Sequence, residues 1–92
     1  MKIDVKFYAA YRDLFSAEER DVELEDGASV TRLLESLCDS DEIRRELFDD
    51  AGRVRRDVKM MRRGKRTHFV TEPNVILEDG DVLILLPPLF GG

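Results

Sequence analysis

The feature that most constrains the fold is a short apolar run near the end of the chain. Residues Val82–Leu86 are all aliphatic, and Pro87 and Pro88 follow them directly. A continuous apolar run of this length is typical of a strand in the middle of a sheet. The two prolines cannot donate ladder hydrogen bonds, so the strand should end near Leu86. A suitable fold therefore places its last strand at the sheet centre.

The start of the chain predicts strands with one buried face. Apolar residues alternate with other residues at four positions: Ile3, Val5, Phe7 and Ala9. A second alternation covers residues 20–25 and stops at Asp26-Gly27, because glycine readily adopts the positive φ of a turn. Two such strands so close together indicate an N-terminal hairpin. The polar turn between them, residues 12–17, has room for a short helical piece with Leu14 and Phe15 turned inward.

The clearest helix signal begins after Ser29, whose hydroxyl suits an N-cap. Apolar residues then recur at amphipathic spacing: Val30, Leu33, Leu34, Leu37 and Cys38. Asp39 and Glu42 have the spacing of a capping box, so they predict the start of a second short helix. Residues 58–61 indicate a third strand, with Met60 in the core and Met61 on the sheet surface. A turn at 63–65 leads to a short return strand at 68–70.

This order of elements predicts a two-layer α+β domain. A hairpin, a helix and a strand parallel to the first require a right-handed crossover. The β-grasp (ubiquitin-like) arrangement satisfies these conditions, with a mixed sheet packed on one main helix. It also places the last strand beside the first. We therefore expect a β-grasp domain over residues 1–86 and a flexible, extended Gly-Gly tail over 87–92.

The composition describes a single small globular domain. The chain has 92 residues, 42% hydrophobic and 38% charged, which is too short for a second domain. No apolar stretch approaches the length of a bilayer span, and the N-terminus reads as a strand, not as a signal peptide. The single cysteine cannot form an internal disulfide. These features predict a cytoplasmic protein that does not enter a membrane.

Charge is distributed unevenly along the chain. Residues 53–66 contain eight of the 15 basic residues and only Asp57 as an acid, so this segment carries about +7. The remainder, with seven basic against 19 acidic residues, carries about −12. Nucleic acid is one interpretation of the basic segment, but the acidic remainder would repel phosphates. A solvated hairpin or an acidic protein partner is favoured.

The tail is built from an unusual set of residues. Leu89 and Phe90 follow the two prolines, and the chain stops at Gly91-Gly92. A chain end without side chains can thread a narrow channel and present its carboxylate to an enzyme. Pro87 and Pro88 would stiffen the stub, and the two apolar residues would anchor it in a partner's groove. The pattern predicts acyl transfer at Gly92, although an accidental Gly-Gly terminus is the alternative.

Four stretches carry a family resemblance. They are residues 7–12 (Phe-Tyr-Ala-Ala-Tyr-Arg), 27–34 at the start of the helix, and Leu77-Glu78-Asp79-Gly80-Asp81 with the ending Pro87–Gly92. In this order they resemble the ubiquitin-like sulfur carriers, namely the small subunit of molybdopterin synthase and the archaeal small modifier proteins. The Asp-Gly-Asp, apolar strand and Pro-Pro-x-x-Gly-Gly ending is the specific part.

The resemblance implies a carrier or substrate protein and not an enzyme. An E1-like activating enzyme would adenylate Gly92 with ATP and magnesium, which that partner binds. A sulfur donor would then produce a thiocarboxylate, and the large subunit of molybdopterin synthase would move sulfur to a pterin precursor. In the modifiers a similar tail joins the lysines of target proteins. Residues 87–91 would contact these partners.

Other reactive residues predict little chemistry. Cys38 lies on the apolar stripe of the helix, where a buried structural thiol is favoured over a sulfur-relay thiol. His68 has no other ligand at metal-binding spacing, so no metal site is expected. Asp79 and Asp81 lie in a turn, where aspartate serves local backbone hydrogen bonding.

Overall fold

A computed structural model of the protein describes residues 1–64 and 66–86. Within them the elements, in chain order, are β1 (Lys2–Phe7), α1 (Ala10–Phe15), β2 (Glu19–Glu23), α2 (Val30–Ser36), α3 (Asp41–Leu47), β3 (Lys59–Arg63), β4 (Thr67–Phe69) and β5 (Val82–Leu86). The predicted tail, residues 87–92, lies outside the described residues. Every expectation for Pro87, Pro88, Leu89, Phe90, Gly91 and Gly92 therefore stays a prediction.

The sheet has the order predicted from the sequence. Its five strands run β2-β1-β5-β3-β4, so β5 is central. Strand β5 pairs parallel with β1 and antiparallel with β3, while β1–β2 and β3–β4 are antiparallel pairs. The last strand thus lies beside the first, as the β-grasp arrangement requires.

The turn from β1 into α1 differs from the predicted pattern. Ala9 was expected to extend β1, but it has φ 53° and precedes a helix that begins at Ala10. The helical piece is therefore earlier than the predicted 12–17. Its last residue, Phe15, is buried, and its ring stacks on Phe7 with centroids 4.2 Å apart. This aromatic contact holds α1 against the end of β1.

Helix α2 starts where the sequence predicts and ends earlier. The Ser29 hydroxyl accepts a hydrogen bond from the Arg32 amide at 3.1 Å, which confirms the N-cap. Leu37 is the C-cap. The amides of Leu37 and Cys38 donate to carbonyls three residues earlier, at 3.1 Å each. The apolar stripe therefore continues through a tightened last turn after the α-helix has ended.

The predicted cap of the second helix was wrong by one residue. Ser40, not Asp39, is the N-cap of α3, and its hydroxyl accepts from the Ile43 amide at 3.2 Å. The Asp39 carboxylate instead accepts from Arg20 Nη1 at 3.1 Å. Asp39 therefore binds a residue of β2 and does not cap the helix. The spacing of residues along the sequence could not reveal this contact.

The core lies between one face of the sheet and the helices. The residues with no exposed surface are Ile3, Val5, Val30, Leu33, Leu34, Leu37, Leu47, Leu83 and Leu85. Met60 is also buried, as predicted, whereas Met61 lies on the opposite face and is partly exposed. In the described part of the chain, no helix has the length and apolarity to cross a membrane.

Candidate functional site

The predicted reactive tail begins at the end of the central strand. Leu86, the last residue of β5, pairs with Lys59, the first residue of β3. Its neighbour Leu85 pairs with Phe7 at the end of β1. Residues 87–92 are therefore joined to the sheet at the edge where β1 ends and β3 begins. The predicted site residues, Pro87–Gly92, lie outside the described residues, so their arrangement stays a prediction.

Strand β5 presents two apolar faces. Leu83 and Leu85 point into the core and have no exposed surface. Val82, Ile84 and Leu86 alternate with them, are partly exposed and lie outside the core cluster. Since side chains alternate along a strand, these three residues occupy the sheet face opposite the helices.

The exposed face of β5 continues across β3 and β4. Ile84 pairs with Met61, and Met61 pairs with Phe69, so the three side chains form a row on the same face. Phe69 keeps 54% of its surface exposed. We call Met61, Phe69, Val82, Ile84 and Leu86 the outer strip. Exposed apolar surface of this kind is typical of a protein–protein contact.

Charged residues border the outer strip on both sides. On the β3 side, Lys59 pairs with Leu86 and Arg63 pairs with Val82. On the β1 side, Lys6 pairs with Ile84, and its amine forms an ion pair with Glu19 at 3.5 Å. An apolar centre with charged margins is the usual composition of a specific interface.

Asp4 forms an acidic position on this face. It lies opposite Asp21 of β2, and its Oδ1 is buried without a hydrogen-bond partner among the described residues. Burial, and then the nearby Glu19 carboxylate, raise the pKa of the Asp4 carboxyl above its usual value, although Lys6 opposes this. Like charges directly opposite one another are unfavourable in a sheet.

The Asp-Gly-Asp sequence fixes the beginning of β5. The Asp79 carboxylate accepts from the Lys2 amide at 2.6 Å, and the Gly80 amide donates to the Lys2 carbonyl at 2.8 Å. The Asp81 carboxylate accepts from the Glu78 amide at 2.8 Å. Backbone bonding by these aspartates was predicted. The turn holds β5 in register beside β1, and so it sets where the tail leaves the sheet.

A buried ion pair strengthens the same turn, and sequence reasoning missed it. Asp81 is only 4% exposed, and its carboxylate contacts Arg62 Nε at 2.9 Å and Nη2 at 2.7 Å. A Cβ added to Gly64 would lie 2.6 Å from Asp81 Oδ1, so the glycine leaves space for the carboxylate. An acid at the start of an apolar strand, with Arg-Arg-Gly in a nearby hairpin, is the only sequence signal for this pair.

The structure gives the surroundings of Cys38 and His68, the two other residues considered for chemistry. The Cys38 thiol is half-buried and donates to the Leu34 carbonyl at 3.3 Å, and burial raises its pKa. A raised pKa lowers the thiolate fraction on which nucleophilic chemistry depends. His68 is exposed on β4 and pairs with Arg62 in the sheet. Over residues 1–64 and 66–86, no group of histidine, cysteine and carboxylates could hold a metal ion.

Comparison with known proteins places this geometry among carriers and modifiers. The chain is 27% identical to small archaeal modifier protein 3 of Haloferax volcanii, and the similarity covers all of both chains. It is 30% identical to the putative molybdopterin converting factor, subunit 1, of Pyrococcus furiosus, with a TM-score of 0.72, covering 97% of this chain and 99% of that one.

Two further comparisons concern the fold and the family. The complex of subunits 1 and 2 of the molybdopterin-converting factor from Helicobacter pylori contains a chain with the same fold, at 22% identity, a TM-score of 0.64 and full coverage of both chains. The ThiS family matches residues 5–92, which include the final strand and the Gly-Gly ending. This match agrees with the β-grasp fold, with the turn that holds β5 in register beside β1, and with the Gly-Gly ending. The chain therefore belongs to the ThiS family, a group of small carriers and modifiers and not of enzymes.

Proposed function

We propose that this chain carries sulfur as a thiocarboxylate on Gly92 and delivers it in molybdopterin biosynthesis. The observation that carries the proposal is the family match, which extends over the whole tail to residue 92. The relative from Pyrococcus furiosus supports the molybdopterin pathway, because it is named as subunit 1 of a molybdopterin converting factor. The expected location of this chemistry is the cytoplasm.

The reaction at Gly92 has two steps. The terminal carboxylate attacks the α-phosphate of ATP and releases pyrophosphate, which gives an acyl-adenylate. A sulfur nucleophile then attacks the carbonyl carbon and displaces AMP, which leaves a thiocarboxylate. The sequence has no phosphate-binding glycine loop, so ATP and magnesium belong to the E1-like activating partner. This chain supplies the acyl group and its position.

The described part of the chain contributes a docking surface. The outer strip ends at Leu86, next to the tail, so a partner that covers the strip also receives the tail. Its exposed aromatic residue, Phe69, is the type of side chain that anchors interfaces. The activating enzyme and the large subunit of molybdopterin synthase are the partners that use this surface in turn. The two-subunit complex from Helicobacter pylori supports the second of them.

Covalent protein modification is the second candidate. The full-length similarity to small archaeal modifier protein 3 favours it. The adenylation step is the same, but a lysine amine of a target protein then displaces AMP and forms an isopeptide bond with Gly92. The two functions share the activated tail and differ in the nucleophile that receives the acyl group.

A single-turnover assay with purified components distinguishes the two functions. The chain is first incubated with its activating enzyme, ATP, magnesium and sulfide, and then with the large synthase subunit and the pterin precursor. We expect one thiocarboxylate chain to be consumed for each sulfur atom that enters the pterin product, and water to supply the oxygen that regenerates the carboxylate chain. Deletion of Gly92 should abolish the product, whereas Cys38→Ser, which removes the only thiol, should leave it unchanged.

The competing outcome is equally specific. If no pterin product forms but tryptic peptides of cellular proteins carry Gly-Gly remnants on lysine, the chain is a modifier and the molybdopterin role is wrong. If Cys38→Ser removes the sulfur and deletion of Gly92 does not, the thiol is the carrier group and the proposed chemistry is wrong.

A further inference from the structure

A groove of about 600 Å³ lies at the β3–β4 side of the sheet, apart from the centre of the outer strip. It is bounded by residues 54–60 on one side and by residues 69–73 on the other. Its apolar lining residues are Val54, Val58, Met60, Phe69, Val70 and Pro73. The groove shares Phe69 with the outer strip and Lys59 with its margin, whereas its other lining residues take no part in the proposed docking for the chemistry at Gly92.

The groove exists because two chain segments separate after a short pairing. Phe69 pairs with Met61, and the Val70 amide donates to the Met60 carbonyl at 2.9 Å. In continued register Thr71 would face Lys59, but that pair is absent from the described sheet. The Pro73 carbonyl instead accepts from the amide and the hydroxyl of Thr31, at 2.8 and 2.9 Å. These bonds draw the segment toward α2 and leave the beginning of β3 open on that side.

The charged residues of the groove are all cationic. Arg55, Arg56 and Lys59 line it, and none of its lining residues is acidic. Arg55 is already occupied, because its guanidinium contacts both Asp57 oxygens at 3.1 and 3.3 Å. Arg56 and Lys59 form no ion pair with any residue in 1–64 or 66–86, and Lys59 Nζ donates only to the Arg56 carbonyl at 3.2 Å. Two charges are therefore available to a ligand.

A second groove in the same chain is lined by acidic residues, and its charge is opposite to that of the first groove. It has a volume of about 380 Å³, and its lining includes Asp13, Glu42, Glu46 and Asp57. Burial is the main cause that raises the pKa of Tyr11 in this groove to about 12, and the Asp57 and Glu46 carboxylates add to it. The two grooves would thus select partners of opposite charge.

We propose that the groove between 54–60 and 69–73 binds a short acidic segment of a partner protein, which carries a bulky apolar residue. The apolar residue fills the space over Met60 and Val70, and the flanking carboxylates meet Arg56 and Lys59. The chain outside residues 53–66, about −12 by residue count, repels such a segment. Arg62 and Arg66 line a separate groove together with Glu78 and Asp81, and no large apolar side chain lines it. Charge and apolar lining together therefore favour the groove between 54–60 and 69–73.

The position of the groove gives the contact a consequence. Lys59 lines the groove and also pairs with Leu86, the residue from which the tail continues. A partner held there lies beside the beginning of the tail. The binding itself does not depend on Gly92, so it extends beyond the proposed function and can be tested without it.

The test uses the full-length ¹⁵N-labelled chain and a synthetic hexapeptide, Leu-Phe flanked on each side by two acidic residues. We expect saturable amide shifts at Val58, Met60, Val70 and Thr71. The double variant Arg56→Gln with Lys59→Gln should weaken binding about tenfold, since it removes two exposed charge contacts. Both residues are exposed, so the spectrum of the free variant should stay that of the folded protein.

A matched control changes the same charge at the other end of β3. The variant Arg63→Gln with Arg66→Gln alters two exposed cations outside the groove, and it should weaken binding by no more than about twofold. A peptide with glutamine and asparagine in place of the acids, and one with alanine in place of Leu-Phe, should both bind at least about tenfold more weakly.

Five results would overturn the proposal. Equal binding of the neutral peptide, or equal weakening by the control variant, would show that no charge-specific groove exists. If the alanine peptide binds as well, the site recognises any polyanion. If truncation after Leu86 alters the groove signals of the free chain and strengthens peptide binding, the chain's own tail is the occupant. If the groove signals move with protein concentration alone, the occupant is a second copy. Deletion of Gly92 should leave peptide binding unchanged, so failure of the carrier function is recognised separately.

Discussion

The two faces of β5 consist of the same kind of residue but have different surroundings. Leu83 and Leu85 are fully buried under the helices, whereas Val82, Ile84 and Leu86 remain partly exposed on the opposite face. The inner and outer residues of this five-residue aliphatic strand therefore have two separate roles. The inner residues hold the fold together, and the outer residues provide a surface beside the tail.

Substitution on the two faces should give the largest contrast in stability. Leu85→Ala leaves a cavity in the core and should lower the free energy of unfolding by about 2–5 kcal/mol. Ile84→Ala removes a partly exposed side chain and should cost about 1 kcal/mol, the range of strand propensity. Urea denaturation followed by circular dichroism measures both. Equal losses would mean that the outer face is also core, and the comparison would fail.

The turn that precedes β5 should show a similar contrast between neighbouring aspartates. Asp81→Asn leaves Arg62, whose side chain is only 13% exposed, without its charged partner. We expect a loss of about 3 kcal/mol, as for other broken buried pairs. Asp79→Asn weakens one exposed hydrogen bond to the Lys2 amide and should cost about 1 kcal/mol.

A double-mutant cycle tests the ion pair itself. The double variant Arg62→Met with Asp81→Asn should lose less stability than the sum of the losses in the two single variants. Each single variant leaves one buried charge without its partner, whereas the double variant removes both charges. Additive losses would show that Asp81 acts through the Glu78 backbone alone.

The outer strip should affect partner recognition more than stability. Ile84→Ala should raise the KM for the activating enzyme about tenfold at unchanged kcat. The substitution removes about 1.4 kcal/mol of binding energy that is the same in the ground state and the transition state. Ile76→Ala is the matched control, since Ile76 is 52% exposed but lies outside the strip. Steady-state pyrophosphate release measures both variants. An equal rise of KM in the control would exclude the strip as the docking surface.

The smallest expected effect concerns Asp4. Its pKa is raised in the folded protein above the usual 3.8, so its protonated form is the one that favours folding. This contribution is fully present below pH 3.8 and is lost as the pH rises through the raised pKa.

Asp4→Asn should therefore stabilise the protein at neutral pH, by less than about 1 kcal/mol because solvent screens the site. The gain should disappear at acid pH. Unfolding curves between about pH 3 and pH 7, the range over which carboxyl groups titrate, measure it. A variant that is less stable than the parent at neutral pH would show that the carboxylate is favourable where it lies.

Local patterns were sufficient to predict most of the architecture. The apolar run at 82–86 and the Ser29 cap each depend on a few neighbouring residues, and both predictions were confirmed. The alternation at the N-terminus was confirmed as far as Phe7, whereas Ala9 lies in the turn into α1. The cap of α3 was predicted one residue too early, because Asp39 is bound by Arg20, 19 residues away. Sequence spacing contains no information on such a competing partner.

The functional surfaces depended on long-range pairing and could not be predicted to the same degree. Asp81 and Arg62 are 19 residues apart, and only the register of β3 against β5 brings them together. The basic segment 53–66 looked like one patch in the sequence. Strand β3 in fact separates it, with Lys59 beside Leu86 and Arg63 beside Val82 at opposite ends of β5.

The measurement that tests the central claim most directly is the intact mass of the chain after reaction with its activating enzyme, ATP, magnesium and sulfide. We predict the mass increase of one oxygen-to-sulfur exchange, located by fragmentation on Gly92 and absent from the chain that ends at Gly91. An unchanged mass, or a sulfur located on Cys38, would contradict the claim that this protein works through its terminal carboxylate.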